Sequence, residues 1–309
     1  MKKEEFFFDS RDNHSKIHAV RYTPDDGNVR AVVQIVHGMA EYVERYEEFA
    51  QFLVEKGFAV TGEDHLGHGG SVGENGCGYF CGQDPATVVV RDVHRLKKMT
   101  QQVYPSVPYI ILGHSMGSFI LRNYLCRYGT GISGAIIMGT GMQPRALLAA
   151  AKAMTAVNKV IFGDRHVSHF LDRLAFGGYN KRFAPARTDK DWLTGETSVV
   201  DRYVADPMCG FVFTVNGFRT LFELIDRSQK PDYLQKIPSD LPVLIVSGEE
   251  DPVGDFGKGV RRTAESLEKA GMKRLTCKLY PAARHELLNE TERAVVMEDI
   301  HSWISENVL

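Results

Sequence analysis

The chain has 309 residues, 43% of them hydrophobic and 25% charged, and a formal net charge of −2. That is enough chain to bury a substantial core in one large domain or two modest ones, and the balance is that of an ordinary globular protein. With no basic excess and no long block of like charge, no nucleic-acid partner is expected.

The N-terminal stretch MKKEEFFFDS has only three consecutive apolar residues, too few for the core of a signal peptide. No run of about 18 apolar residues occurs, so no membrane-spanning helix is predicted. Five cysteines (Cys77, Cys81, Cys126, Cys209 and Cys277) are odd in number and scattered. They fit reduced thiols in a cytoplasmic protein better than a disulfide framework, with a Cys77–Cys81 pair as the lesser alternative.

In chain order, EEFFFDS and KIHAVRY read as strands about the turn-like RDNHS. RAVVQIVHG is a continuous apolar run ending in glycine, as in a buried strand. EYVERYEEFAQFLVEKG places Tyr46, Phe49, Ala50, Phe52 and Leu53 at helical spacing, with Gly57 as a stop. The cycle repeats through the strand FAVTGED, a helix closed by Pro105, the strand YIILGHS, the helix GSFILRNYLCRYG and the strand GAIIMGT. Alternation of this kind predicts an α/β fold whose mostly parallel sheet is covered on both faces, with ligands beyond the carboxyl ends of the strands.

After Gly141 the rhythm breaks. Residues 142–232 contain helical stretches (RALLAAAKAMTAVNKVIFG, NGFRTLFELIDRS) but no convincing strand. An insertion of about 90 residues is long for a connection, and it reads as a helical cap over a core made of residues 1–141 and 233–309. Its aromatic residues, among them Phe162, Phe170, Phe176, Tyr179, Phe183, Trp192, Phe211 and Phe213, are expected to be mostly core between cap and sheet. The helix Ala146 to Phe162 has a broad apolar face and little charge, which suits transient contact with a membrane surface. LPVLIVSGEEDP then restores a strand, followed by a helix, the strand RLTCKLYP and a closing helix.

The chemistry concentrates at Gly113-His114-Ser115-Met116-Gly117. A serine on a sharp strand-to-helix turn crowds its neighbours, and the two glycines relieve that crowding. A serine hydroxyl needs an adjacent base. His285 follows the last predicted strand, on the same sheet edge as Ser115. His114 is expected to point away from the serine oxygen, and His94 reads as core or surface. Asp251 ends a strand between Ser115 and His285 in sequence and is followed by Pro252. It is the favoured orienting carboxylate, with Glu249 and Glu250 as competitors. The order serine, aspartate, histidine is that of an α/β-hydrolase triad. Backbone N–H groups of Met39, in the turn HGMA, and of Met116 are the expected oxyanion donors.

The stretches VQIVHGMAEYVERY, GEDHLGHGGS, LGHSMGS, VADPMCGF, VSGEEDPVG and YPAARHE together resemble the monoacylglycerol lipase and lysophospholipase branch of the α/β hydrolases. The resemblance spans nearly the whole chain. It implies an eight-stranded sheet with the cap inserted before the penultimate strand, and a cofactor-free serine hydrolase acting on small lipid-like esters. It also implies Ser115, Asp251 and His285 as the triad, Met39 and Met116 as the oxyanion hole, and a cap that shapes an acyl tunnel. Met39 stands where a small residue is common there, and is expected to narrow the entrance or alter the leaving-group side. Glu41 and Arg45 match positions near the polar end of the substrate; as residues four apart they equally fit a plain helical ion pair. Asp64, His65 and His68 in DHLGHG lack a further ligand of the required kind, so the loop is expected to be structural and to hold no metal. Cys209 is expected near the pocket. Two rivals share the scaffold: an aminopeptidase, which needs a cap carboxylate (Asp164, Asp172, Glu196 or Asp206) for the substrate's ammonium group, and a ligand-binding receptor without turnover.

Overall fold

The computed structural model describes all 309 residues. Eight strands form one sheet in the order β1-β2-β4-β3-β5-β6-β7-β8. They are β1 (Lys2–Asp9), β2 (Lys16–Thr23), β3 (Ala31–Val36), β4 (Phe58–Glu63), β5 (Tyr109–His114), β6 (Gly134–Met138), β7 (Val243–Gly248) and β8 (Leu275–Tyr280). β2 runs against both of its neighbours, while β4 through β8 pair in parallel. The β1–β2 hairpin follows from RDNHS: the Asp12 carboxylate accepts the backbone N–H groups of His14 and Ser15, both at 2.8 Å, and Asn13 takes a left-handed conformation.

The central strands β3 to β7 are buried throughout, which explains their unbroken apolar sequence. Successive side chains enter opposite cores. Val32, Val36, Ile111 and Ile137 pack on one side, and Val33, Ile35, Ile110, Leu112 and Ile136 on the other. The first side is covered by α2 (Pro85–Val103), α3 (Met116–Tyr128) and α9 (Lys258–Lys269). The second is covered by α1 (Glu47–Glu55) and α10 (Arg293–Asn307). The helix expected over Glu41–Gly57 is shorter and broken: a single turn at Val43–Tyr46 precedes α1, and Gly57 ends it with φ 86°.

Residues 142–232 lie between β6 and β7 and hold α4 (Arg145–Phe162), α5 (His169–Phe176), α6 (Thr197–Ala205), α7 (Val215–Ser228) and α8 (Pro231–Leu234). Their only β pairing is one bridge between Val167 and Thr214. The aromatic residues of this segment depart from the expectation of a packed core. Of the eight named, only Phe213 is fully buried; Phe162 and Phe170 are 57% and 48% exposed. The packed interior of the segment comes instead from Leu148, Leu171 and the α7 residues Phe218, Leu221 and Leu224, while Phe176 and Phe211 pack against it part-buried and line the cavity. No helix is long and apolar enough to cross a membrane.

Candidate active site

Ser115 occupies the turn between β5 and α3 with φ 54° and ψ −120°, a conformation non-glycine residues rarely take. Such backbone costs about 1–3 kcal/mol and persists only where its surroundings fix it. Here the Ser115 N–H donates to the Met138 carbonyl on β6 (3.0 Å), and its carbonyl accepts from the Ser118 N–H and hydroxyl (2.9 and 2.6 Å). The glycines of the motif are sterically required. A Cβ at Gly113 would strike the Gly117 carbonyl, and one at Gly117 would strike the Val36 carbonyl of β3.

His285 lies in the loop after β8, buried, and it lines the same cavity as Ser115. Its Nδ1 is 3.0 Å from Oδ2 of Asp251, although the ring N–H is not aligned for a good hydrogen bond. Asp251 is completely buried after β7. Its Oδ2 accepts from the Ser247 hydroxyl (3.1 Å) and its Oδ1 from the Val253 N–H (2.9 Å), which fixes the carboxylate plane. The Glu249 and Glu250 N–H groups donate to the Tyr280 and Ala283 carbonyls, joining the aspartate loop to the histidine loop. The side chains of Glu249 and Glu250 are exposed, so neither competes for the imidazole.

The turn after β3 closes against the serine. A Cβ on Gly38 would lie 3.0 Å from that of Ser115, and both Met39 and Met116 line the cavity. Apolar groups on the remaining walls include Phe119, Phe176, Leu221, Ile225 and Val253. A second, outer groove lies between α4, α5 and α7 and shares Gln143, Phe176, Tyr179, Leu221 and Ile225 with this cavity.

Glu41 and Arg45 are not an exposed helical pair. Glu41 precedes the first helical turn, is buried and lines the cavity, whereas Arg45 does not line it. Arg45 donates to Glu41 (2.6 Å) and makes a bidentate contact with Glu286 (2.8 Å twice). Tyr46 donates to Glu41 (2.9 Å) and lies 2.8 Å from His114 Nδ1; His114 Nε2 lies 3.3 Å from the His285 carbonyl. Burial alone would push His114 down, but the Glu41 carboxylate overrides it and raises the imidazole above its ordinary value. When protonated, the ring donates towards the Glu41 carboxylate (3.2 Å) and the His285 carbonyl. His114 therefore supports the backbone of the histidine loop, a role its position beside Ser115 does not reveal. Glu286 escaped the sequence reading because it lies 241 residues from Arg45 and no spacing rule links them.

The 191–195 loop completes the wall. Trp192 packs 5.1 Å from the His285 ring, centroid to centroid, and the Leu193 carbonyl accepts the Glu286 N–H (2.7 Å). Cys209 does not line the cavity, although its neighbour Gly210 does; burial raises its thiol well above the ordinary range, which leaves it unreactive.

Asp64, His65 and His68 are turned to structural ends. Asp64 accepts the Val43 and Gly70 N–H groups and pairs with His18 at 2.8 Å. His65 and His68 pack with His37, and no group of His, Cys, Asp or Glu converges as a metal site would. Burial holds these three imidazoles neutral, with His68 pushed down to about 3. An unfolded chain takes up those protons near pH 6.5, so stability is lost as pH falls through about 6.5 towards 3. Burial raises Glu63 to about 8 and Asp92 to about 7, and these protonated acids partly offset the loss. That offset stops growing at their ordinary values of 4.5 and 3.8. The unfolding free energy from denaturant titrations is therefore expected to fall most steeply below about pH 4.5, by about 1.4 kcal/mol per pH unit for each proton taken up. His68→Phe, placed among Phe80, Phe211 and Phe213, is expected to flatten that slope. An unchanged slope would show that His68 is not held neutral.

Residues 27–292 match the family model described as serine aminopeptidase, S33. A monoacylglycerol lipase of Mycolicibacterium smegmatis is 30% identical over 286 residues, covering 92% of this chain and 90% of the relative. The chain belongs to this family of α/β hydrolases, in its monoacylglycerol lipase-like branch. A monoglyceride lipase of Rattus norvegicus is 28% identical, covering 93% of this chain and 86% of the relative. A thermostable carboxyl esterase from Bacillus coagulans, solved in complex with glycerol, superposes with a TM-score of 0.93 at 28% identity over 100% of both chains. The soluble variant of the Saccharomyces cerevisiae monoglyceride lipase, at 21% identity and TM-score 0.78 over 99% and 95% of the two chains, shares the fold. Like other S33-family α/β hydrolases of this branch, the chain is a lipase-type serine hydrolase.

Proposed function

We propose that the protein hydrolyses lipid-like carboxylic esters, such as monoacylglycerols or lysophospholipids, through an acyl-enzyme. The observation that carries this reading is the strained Ser115, lining a largely apolar cavity together with His285, Met39 and Met116. Ser115 attacks the carbonyl carbon as His285 takes its proton. Asp251 holds the imidazole tautomer and stabilises the cation that forms. N–H groups of Met39 and Met116 receive the oxyanion, each typically lowering the barrier by about 3–4 kcal/mol. His285 then returns the proton to the leaving alcohol, and a water molecule, activated by the same base, releases the acid.

Residues 142–232 serve as the cap of this site. Val160, Ile161 and Phe162 at the end of α4 are 86%, 64% and 57% exposed, which supports transient contact with a lipid surface. The outer groove beside α4 extends the cavity for acyl chains too long for the inner space. Of the cap carboxylates an aminopeptidase would need, Asp164 pairs with Lys159 and Arg219, Asp206 accepts from Tyr42, and Glu196 caps α6; only Asp172 lines the cavity. Steady-state hydrolysis of acyl esters of graded chain length, beside aminoacyl amides, tests the reading. Sustained turnover of the esters with little of the amides is expected. Preference for the amides would transfer the protein to the peptidase rival, and a burst without turnover to the receptor.

A further inference from the structure

The loop that carries His285 has little structure of its own. Between β8 and the single helical turn at Leu287–Asn289, Ala282 takes a left-handed conformation (φ 56°), and the Ala283 N–H makes only a long bond to the Tyr280 carbonyl (3.4 Å). Strained backbone of this kind persists where its surroundings fix it. On the sheet side the Glu250 N–H holds the Ala283 carbonyl at 2.9 Å. On the other side the inserted segment holds the loop.

Arg284, immediately before His285, spends its guanidinium on main-chain carbonyls. It donates to those of Asp191 and Thr194 (3.1 Å to the latter) and lies 4.2 Å from the centre of the Phe183 ring. Glu290 is buried, and each of its oxygens accepts one backbone N–H: Oε1 that of Arg284 (2.7 Å) and Oε2 that of Gly195 (3.0 Å). The Thr194 hydroxyl adds a bond to the Asn289 carbonyl (3.0 Å). Two side chains thus bridge the 191–195 and 284–290 loops. Neither lines the cavity, whereas Trp192, Leu193, His285 and Glu286 do. The hydrogen bonds and ion pairs of α4 and α5, by contrast, stay within the inserted segment.

We propose that Arg284 and Glu290 are positioning residues for His285: they staple the 191–195 loop to the histidine loop and make that stretch of the cap part of the catalytic scaffold. The effect on rate rests on the ester-hydrolase reading; the staple itself does not. Reach decides the size of the effect. An imidazole takes a serine proton only within hydrogen-bond distance, and a misplacement of about 1 Å costs on the order of a hundredfold in rate. Hydrogen bonds with a charged partner are the stronger kind, and here a guanidinium grips two carbonyls while a carboxylate grips two N–H groups. Without them the backbone of His285 is free on its cap side, and so is the Trp192 ring that packs on its imidazole.

The test measures kcat and KM separately on p-nitrophenyl butyrate, whose short acyl chain asks little of the cap. Arg284→Ala is expected to lower kcat on the order of a hundredfold with KM little changed, and Arg284→Lys to recover part of that loss. Glu290→Gln, which keeps the shape but turns an amide N–H towards one of the two backbone donors, is expected to lower kcat on the order of tenfold. Arg187 is exposed and bonds only within the cap, to Asp201 and to the Thr197 carbonyl, so Arg187→Gln is expected to change kcat by less than about twofold. Hydrogen exchange reads the staple without reference to activity: in Arg284→Ala and Glu290→Gln, amides of 192–196 and 284–290 are expected to exchange faster together, while those of β5 and α3 stay as in wild type. A loss confined to KM, a kcat unchanged in both variants, an equal loss in Arg187→Gln, or unaltered exchange in the two loops would each overturn the proposal. Failure of the wild type to hydrolyse any ester would remove the ester reading instead, and the exchange comparison would still decide whether the two loops are coupled.

Discussion

Replacement of Ser115 by alanine is expected to reduce ester turnover on the order of 10⁶-fold, leaving only what binding and the oxyanion donors supply. The size follows from the chemistry: no other serine, threonine or cysteine lines the cavity. Cys209 is buried outside it, and the hydroxyl of Ser118 is committed to the Ser115 carbonyl at 2.6 Å. The fold is expected to survive, because the backbone bonds that fix the turn come from main-chain groups of Ser115 and Met138, not from the hydroxyl. Matching circular dichroism and denaturant midpoints would establish that. Residual turnover within about a hundredfold of wild type would mean that another group attacks the ester.

Asp251→Asn is expected to lower kcat by about 10⁴-fold with a much smaller change in KM, the loss known for an asparagine that keeps the shape but imposes the wrong histidine tautomer. Asp251 is enclosed, and its oxygens accept from Ser247 and Val253 while Oδ2 stands 3.0 Å from His285. An amide would turn a donor towards one of those donors. Glu249→Gln and Glu250→Gln, both on exposed side chains, are expected to change kcat less than twofold. A larger loss from either glutamate variant than from Asp251→Asn would move the orienting role to that residue.

The strands were legible because β3 to β7 are buried on both faces and so carry unbroken apolar runs, and the turns between them are marked by glycine and polar clusters. Ser115, Asp251 and His285 could be proposed together for a related reason: each follows a recognisable strand, and a parallel sheet brings those strand ends to one edge. Residues whose role depends on three-dimensional packing were not legible. Glu286 meets Arg45 across 241 residues, and Trp192 reaches His285 from the inserted segment. Nothing periodic marks either one. The aromatic residues of 142–232 divide in a way hydrophobicity alone does not show: Phe213 is core, Phe176 and Phe211 pack against it while lining the cavity, and Phe162 and Phe170 are exposed. The break between Tyr46 and Glu47 escaped for a similar reason: Val43, Tyr46 and Phe49 bury as a continuous helix would, although the backbone changes pitch.

The claim on which the rest depends is that the Ser115 hydroxyl is the group that bonds to the acyl carbon. Mass spectrometry of the protein after reaction with an alkyl fluorophosphonate measures this most directly, by locating the phosphonylated peptide. One adduct per chain is expected, on the peptide that holds Ser115, and none after Ser115→Ala. An adduct on any other residue of the untreated sequence, or undiminished labelling of the alanine variant, would contradict it.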